Sequence, residues 1–457
     1  MRKGIYIFCI SLIVISSFLV TSCDPISLKT TIDALVLGWT RAVTLTSPEN
    51  EVGIAEKTPL LDWEDAGGAT GYQVQISETE SFDGVIPIEI DEAVSQYEIP
   101  NELTICDTRY WRVRAVNNGI VSDVWSEAWS FRIVVSEVPK LIGQLEISTQ
   151  PMGMCIKNNF AYVSHSSGVK QLTIIDISDP AMPEQHKQFD YGAGFFPEIT
   201  EDYLYCLERH VSPDYEIVHK VDVSDPANPV SLGSINLIYD HDSSGATPDL
   251  EYYANDYLPP IGGADLLIPV RDTSSIDFGV MSVDFSNPSS PVITGMEYTT
   301  PDEALMIMKA GTAALVTVEN VGVHSFSLIG GGQTDSLVLD DELDSGMIDI
   351  EGDLAYISNI SGPLSIIDIS DPYSLSLVQS YPPGSGNYFP KVSGDFLFLG
   401  LTPSEEFIVL DVADPASPVL LSEGNAGHIC EVIGNYAYGV EWTAGKFNVY
   451  DLLPEDE

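Results

Sequence analysis

The phrase Ile174-Ile175-Asp176-Ile177-Ser178-Asp179-Pro180 returns along the chain at nearly constant intervals. Further copies stand at 220–226, 282–288, 366–372 and 409–415, and a truncated one at Val449-Tyr450-Asp451-Leu452. An interval of roughly 40–50 residues describes an array of similar units, none able to bury its own faces alone. Two apolar residues in succession, as in Ile174-Ile175, predict a strand covered on both faces, which stacked sheets would supply. Asp-Pro predicts a turn, because proline presets φ while the aspartate oxygen takes backbone amides.

The clearest unit runs from Met347-Ile348-Asp349-Ile350 through Gly352-Asp353 and Leu354-Ala355-Tyr356-Ile357 to Leu364-Ser365-Ile366-Ile367-Asp368. It reads as an inner strand, a tight turn, an aromatic strand and the repeated strand, with an outer strand after the Asp-Pro turn. The interval from Asp284 to Asp368 is about twice the others, which demands a concealed unit. Ala313-Ala314-Leu315-Val316 and Val323-His324-Ser325-Phe326 supply it, with the turn phrase decayed to Gly330-Gly331-Gly332. The count is then seven. The last unit lacks an outer strand, and 140–147 has the outer-strand pattern of 230–235 without a unit of its own. The fold expected for 139–457 is therefore an all-β, seven-bladed β-propeller closed by strand 140–147, which removes open edges. These phrases resemble the LVIVD repeat of bacterial and archaeal surface proteins. That resemblance implies propeller blades and a surface location, and no particular activity.

Residues 44–135 read as a separate β unit. Tyr72-Gln73-Val74-Gln75-Ile76, Tyr110 to Val116 and Trp129 to Ile133 alternate apolar and polar residues, as strands with one buried face do. Trp63, Leu103, Tyr110-Trp111-Arg112-Val113-Arg114-Ala115-Val116-Asn117, Ser122 and Trp125-Ser126 resemble a fibronectin type III domain, an immunoglobulin-like sandwich. The resemblance implies a spacer or adhesion module and makes Tyr110 the corner tyrosine bonded to upstream backbone. The Leu103–Tyr110 stretch lacks the family's proline.

Ahead of it, Arg2 and Lys3 precede an apolar run from Ile5 to Val20 that ends in Thr21-Ser22-Cys23, the pattern of a signal peptide over 1–22. Small residues leading into Cys23 resemble the lipobox of bacterial lipoproteins, which implies lipidation at Cys23 and a tether over 23–43. The expected location is the cell envelope, lipid-anchored, on its periplasmic or extracellular side. Formal charge is −49, from 19 basic and 68 acidic residues, which opposes nucleic acid as a partner. With 44% hydrophobic residues the acidity does not signal disorder. It reads as a solvated surface or as adaptation to salt. Cys106, Cys155, Cys206 and Cys430 lack the spacing of a zinc site, and buried thiols are expected.

Repetition argues that the aspartates of the repeated phrase serve the turn. Asp240, Asp242, Ser244 and Glu251 match a calcium loop with glycine at the sharp bend, although Pro248 sits at its ninth position. Ca²⁺ is thus the one cofactor considered, against the alternative of an acidic surface loop. The loops entering inner strands and leaving aromatic strands carry Phe195, Phe196, Tyr388, Phe389, His428 and Trp442, with Lys170, Arg209, Arg271 and Lys446. Aromatic platforms with a few donors suit a protein or glycan partner. No HExxH, GxSxG, P-loop or dinucleotide fingerprint is present. The expected function is a non-catalytic binding or adhesion lipoprotein. The alternatives are an extracellular propeller hydrolase or lyase acting on polysaccharide or peptide, and a structural envelope component.

Overall fold

The computed structural model describes residues 41–147, 150–165, 172–189, 197–211, 214–237, 265–271, 278–302, 304–328, 333–339, 343, 346–359, 362–382, 387–401, 406–424 and 427–454. Cys23, the residue expected to be lipidated, and the decayed turn at Gly330–Gly332 lie outside them. The chain divides into two compact units between Val134 and Val135.

In the first unit, alternation sorts side chains as period two requires. Along Thr108–Asn117, Trp111, Val113 and Ala115 are buried while Arg112 and Arg114 are half-buried. A sheet of Leu45–Ser47, Leu60–Trp63 and Gln96–Glu98 accompanies a larger one. The larger runs Val52–Ile54, Trp129–Ile133, Thr108–Asn117, Gly71–Ser77, Ile88–Ile90, with Ile120–Val121 added on Thr108–Asn117. Trp63 of the small sheet meets Tyr72 of the large one edge to face at 5.3 Å. The expectation for Tyr110 needs correcting. Tyr110 is only half-buried, and the buried tyrosine hydroxyl that takes a backbone amide is that of Tyr72, bonded by Ala66 at 3.0 Å. Without the proline, the stretch before Tyr110 turns through Cys106 at φ 70, whose amide donates to the Ile133 carbonyl. Arg112 stacks over Phe82 and Trp125 at 4.2 and 4.8 Å, and Arg114 over Trp125 at 4.3 Å.

Among the described residues, the second unit holds seven sheets, numbered here in chain order. Sheet one is Pro151–Lys157, Phe160–His165, Leu172–Asp176 and Glu184–Phe189; sheet two is Glu198–Thr200, Tyr203–Val211, Asp214–Asp222 and Val230–Asn236. Sheet three shows Asp265–Arg271, Phe278–Asp284 and Val292–Thr300, which match the second to fourth strands of the others in register. Sheet four is Ala304–Ala310, Ala313–Val318, Gly322–Ser327 and Gln333–Val338; sheet five is Ile348–Glu351, Leu354–Ile357, Leu364–Asp368 and Ser376–Tyr381. Sheet six is Asn387–Ser393, Phe396–Leu401, Glu406–Asp411 and Val419–Gly424. Sheet seven joins His428–Ile433, Tyr436–Glu441 and Lys446–Asp451 to Lys140–Glu146, which pairs antiparallel with Lys446–Asp451.

The doubled apolar residues explain how these sheets stack. Leu172 and Ile174 enter a core shared with Leu204, Cys206 and Val221 of sheet two. Ile175 and Ile177 enter another, shared with Tyr438, Val440, Phe447 and Val449 of sheet seven. Equivalent cores join sheets two and three, three and four, four and five, and five and six. Phe407 against Tyr450, 5.1 Å apart, joins six to seven. Each sheet therefore packs on the next and the seventh on the first. Each fully buried aliphatic side chain in these interfaces contributes about 1.5–3 kcal/mol.

The turns are built by the repeated aspartates. The Ser178 amide donates to Asp176 Oδ1 at 2.9 Å, and the same bond recurs at Asp222, Asp284, Asp368, Asp411 and Asp451 at 2.7–2.9 Å. Asp179, Asp225, Asp371 and Asp414 take the amide two residues on at 3.0–3.1 Å. The following serine, through amide and hydroxyl, holds Asp176, Asp222, Asp284 and Asp368 below the usual carboxylate range. The outer strand of the preceding sheet abuts this turn. Gly143 and Gly233 lie against the Pro180 and Pro288 carbonyls, where a β-carbon would collide with backbone.

Candidate functional site

The first strand of each sheet returns into the second through a tight turn, so positions compare when counted back from the second strand. Five residues before it stand Cys155, Glu198, Met308, Asp349, Lys391 and Glu431, for sheets one, two, four, five, six and seven. Each faces a large residue across the hairpin: Tyr162, Tyr205, Leu315, Tyr356, Phe398 and Tyr438. The register is constant and the chemistry is not. First strands of sheets four to seven abut in succession, and that of seven abuts one, which brings the charged positions of sheets five, six and seven together.

Lys391 Nζ lies 3.2 Å from Glu431 Oε2 and 3.9 Å from Asp349 Oδ2, so one ammonium spans three sheets. The Val392 amide donates to the same Asp349 oxygen at 2.8 Å. Asp349 is 9% exposed, whereas the Lys391 and Glu431 side chains are 27% and 25% exposed. The cluster is thus closed on the Asp349 side and open to water on the other. Burial pushes both carboxyls above their ordinary values, against the lowering effect of Lys391, and Asp349 adds to the rise at Glu431. Burial, with Asp395, Glu351 and Asp349 adding, pushes the Tyr356 hydroxyl up to about 12. The Cys430 thiol also rises to about 12, through burial first and Glu431 second.

Two residues before Lys391, Phe389 bulges out of the ladder between Tyr388 and Pro390 at φ 54. Left-handed backbone is uncommon for a bulky residue, and a bulge re-aims its side chain. Here the Phe389 ring is brought to 5.0 Å from that of His428, at 47°. Trp442 stands 42% exposed, two residues beyond Val440, the register partner of His428.

Of the residues expected from sequence, the structure brings together Phe389 and His428 and places Trp442 on the same sheet as His428. Arg209 and Arg271 lie in strands opposite Glu216 and Phe278, and Tyr388 opposite Gly400, with their side chains outside the described set. Phe195, Phe196, Lys170, Asp240, Asp242, Ser244 and Glu251 also lie outside it. No group of three or more His, Cys, Asp or Glu among the described residues is placed to hold a metal ion. Sequence reasoning missed Asp349, Lys391 and Glu431, although counting five residues back from each aromatic strand would have found them.

Elsewhere, a cleft of about 90 Å³ between sheets four and five is lined by Leu339, Leu343, Asn359, Ser365, Leu377 and Ser380. That is well below the several hundred Å³ of an ordinary small-molecule pocket. Cys106, Cys155, Cys206 and Cys430 are in no disulfide, and burial raises the thiol of Cys206 strongly.

Comparison with known proteins finds the LVIVD repeat at residues 151–190, 277–300, 344–382 and 391–426. LVIVD repeats are present. The matched segments fall on sheets one, three, five and six, and with the circle of sheets they make the second unit a β-propeller-like repeat array. No curated protein matches the chain. Among solved structures, the computationally designed Ika8 protein is similar at 9% identity and a TM-score of 0.46, over 68% of this chain and 99% of that one. BamB from Moraxella catarrhalis is similar at 11% identity and a TM-score of 0.43, over 70% and 92%.

Proposed function

We propose that the chain is a lipid-anchored binding protein of the cell envelope, whose second unit is a closed seven-bladed propeller that takes a protein or glycan partner at its loop face. Cys23 carries the membrane anchor, and the first unit is a fibronectin type III spacer. The order of three strands against a larger sheet, with Trp63 buried between, supports that domain reading. The observation that carries the binding reading is the bulged Phe389 ring set against that of His428, in the same region as the exposed Trp442. A ring pair and an indole offer flat apolar area with polar edges, the surface that sugars and peptide side chains use.

Affinity capture from the native envelope tests this, with the unlipidated chain as bait beside a His428→Ala, Trp442→Ala variant. The expected result is a partner recovered by the unsubstituted chain and lost from the variant. Equal recovery by both would place the contact elsewhere.

Asp349 and Glu431 favour a second reading. Carboxyls with raised proton affinity beside a cation are the usual equipment of general acid catalysis, and a hydrolase or lyase would use them at an open channel. Hydrolysis of envelope polysaccharide by the unsubstituted chain, abolished in Glu431→Gln, would establish it. Binding without turnover would remove it.

A further inference from the structure

The chain has 19 basic residues against 68 acidic ones, yet two of the 19 stand side by side on the first unit outside any ion pair. Among the described residues no carboxylate lies within salt-bridge distance of Arg112 or Arg114, whereas Arg109 of the same strand has Asp107 at 3.2 Å and Glu78 at 3.7 Å. We propose that Arg112 and Arg114 form a docking site for an extended acidic peptide segment of a partner protein, which gives the first unit a role beyond that of a spacer.

Geometry carries the argument. Trp111, Val113 and Ala115 are buried in the core, so Arg112 and Arg114 project from the opposite face of the larger sheet. Register sets Arg112 across from Gln75 and Arg114 across from Gln73. Each Nε donates to the glutamine carbonyl beside it, at 2.8 and 2.7 Å. The two glutamines are buried and held in turn: the Gln75 amide donates to the Val85 carbonyl at 2.7 Å, and that of Gln73 to the Glu89 carboxylate. Glu89 thus reaches Arg114 through an uncharged amide and forms no ion pair with it. The guanidinium faces are engaged as well, Arg112 on Phe82 and Trp125, Arg114 on Trp125. What remains of each fork is its pair of Nη donors, which a carboxylate takes two at a time. Burial first and Arg114 second push the Arg112 guanidinium below its ordinary value. An incoming carboxylate relieves that repulsion. Both side chains are already fixed, so little rotamer freedom is lost on binding.

The spacing selects the partner. Alternate residues of a strand stand about 6.6 Å apart on one face, so positions 112 and 114 offer their charges at the repeat of another extended chain. A partner segment with acids at alternate positions sets one carboxylate on each fork, while a free phosphate occupies one and leaves the other. Half-buried Trp125 adds apolar area beside both. The negative charge of the whole chain opposes an acidic partner at a distance. At physiological ionic strength that repulsion is screened beyond about 8 Å, whereas the two forks act at contact.

The test is fluorescence anisotropy of a labelled peptide of alternating glutamate and threonine, titrated with the full chain in physiological salt. The expected result is saturable binding that weakens at least about tenfold in Arg112→Gln, Arg114→Gln, the equivalent of one lost charged contact. Arg112→Lys, Arg114→Lys keeps the charge without the fork and should bind with intermediate affinity. Absence of saturation with the unsubstituted chain overturns the proposal without any variant, as does equal binding of a glutamine–threonine peptide. Undiminished binding by a folded glutamine variant also overturns it. Displacement of the peptide by inorganic phosphate at equal concentration would reduce the site to one for a single oxyanion, and tighter binding of polygalacturonate would make it a site for acidic glycan; either result overturns the peptide as partner.

Discussion

Two sets of carboxylates divide the second unit, and opposite rules build them. The aspartates of the turns recur in sheet after sheet, sit at the surface, and each accept the amide two residues on. The register position of Asp349 and Glu431 carries Cys155, Glu198, Met308 and Lys391 in other sheets, and these two carboxyls are drawn out of water and share one lysine. The first set lies below its ordinary proton affinity range and the second above it. A residue that recurs answers a need every sheet has. A position kept in register but filled differently answers no such need, so its chemistry is free for a task of the whole molecule.

The largest difference between the sets should appear on removing the shared cation. Lys391→Ala leaves two carboxylates uncompensated, a defect that costs about 3–5 kcal/mol when fully buried. With about a quarter of Lys391 and Glu431 exposed, solvent screening reduces the expected loss to about 2 kcal/mol at pH 8, read as a fall in urea midpoint. Asp411→Ala, which removes one surface bond from a turn, should cost clearly less. Equal losses would erase the distinction.

The next largest effect separates the sets by pH. Raised carboxyls let the folded chain bind more protons, so the contribution of Asp349 and Glu431 grows as pH falls from their raised values toward the unfolded range of about 3.9–4.3. Asp176, Asp222, Asp284 and Asp368 have lowered values, so their contribution is complete above about 3.9 and disappears as pH falls through the folded values. Melting temperature should therefore be highest in mild acid and decline on both sides. Asp349→Asn with Glu431→Gln should flatten the alkaline side alone. Asp176→Asn with Asp368→Asn should flatten the acid side alone, because asparagine keeps the acceptor and loses the charge. Variants that shift both sides together would show the two sets to be coupled.

The same division explains what could be read without coordinates. Ile174-Ile175 announced a strand buried on both faces, and the structure gives those two neighbours to different cores. Asp176 announced a turn through the chemistry of its own side chain, a local matter. The paired outer strand Lys140–Glu146 was legible because its pattern repeats 230–235. Asp349, Lys391 and Glu431 were not, since each is an ordinary charged residue in an alternating strand. Only the stacking of sheets five, six and seven makes them one group. Tyr110 was misjudged for a related reason: the bond to upstream backbone depends on how the chain bends at Cys106, which a sequence pattern does not contain.

The smallest effect on stability should accompany one of the largest on function. Trp442 is 42% exposed at the turn between the second and third strands of sheet seven. Its replacement by alanine removes no recurring contact between sheets, so melting should shift by the equivalent of about 1 kcal/mol. Phe407→Ala, in contrast, opens the contact between sheets six and seven, where Phe407 is fully buried against Tyr450. That loss belongs to the class of about 3–5 kcal/mol. If the non-recurring surface residues carry recognition, Trp442→Ala should lower partner recovery at temperatures well below its melting, where the chain stays folded. A Trp442→Ala chain that stays folded and still retains its partner would move the binding surface off sheet seven, toward the loops of the other sheets.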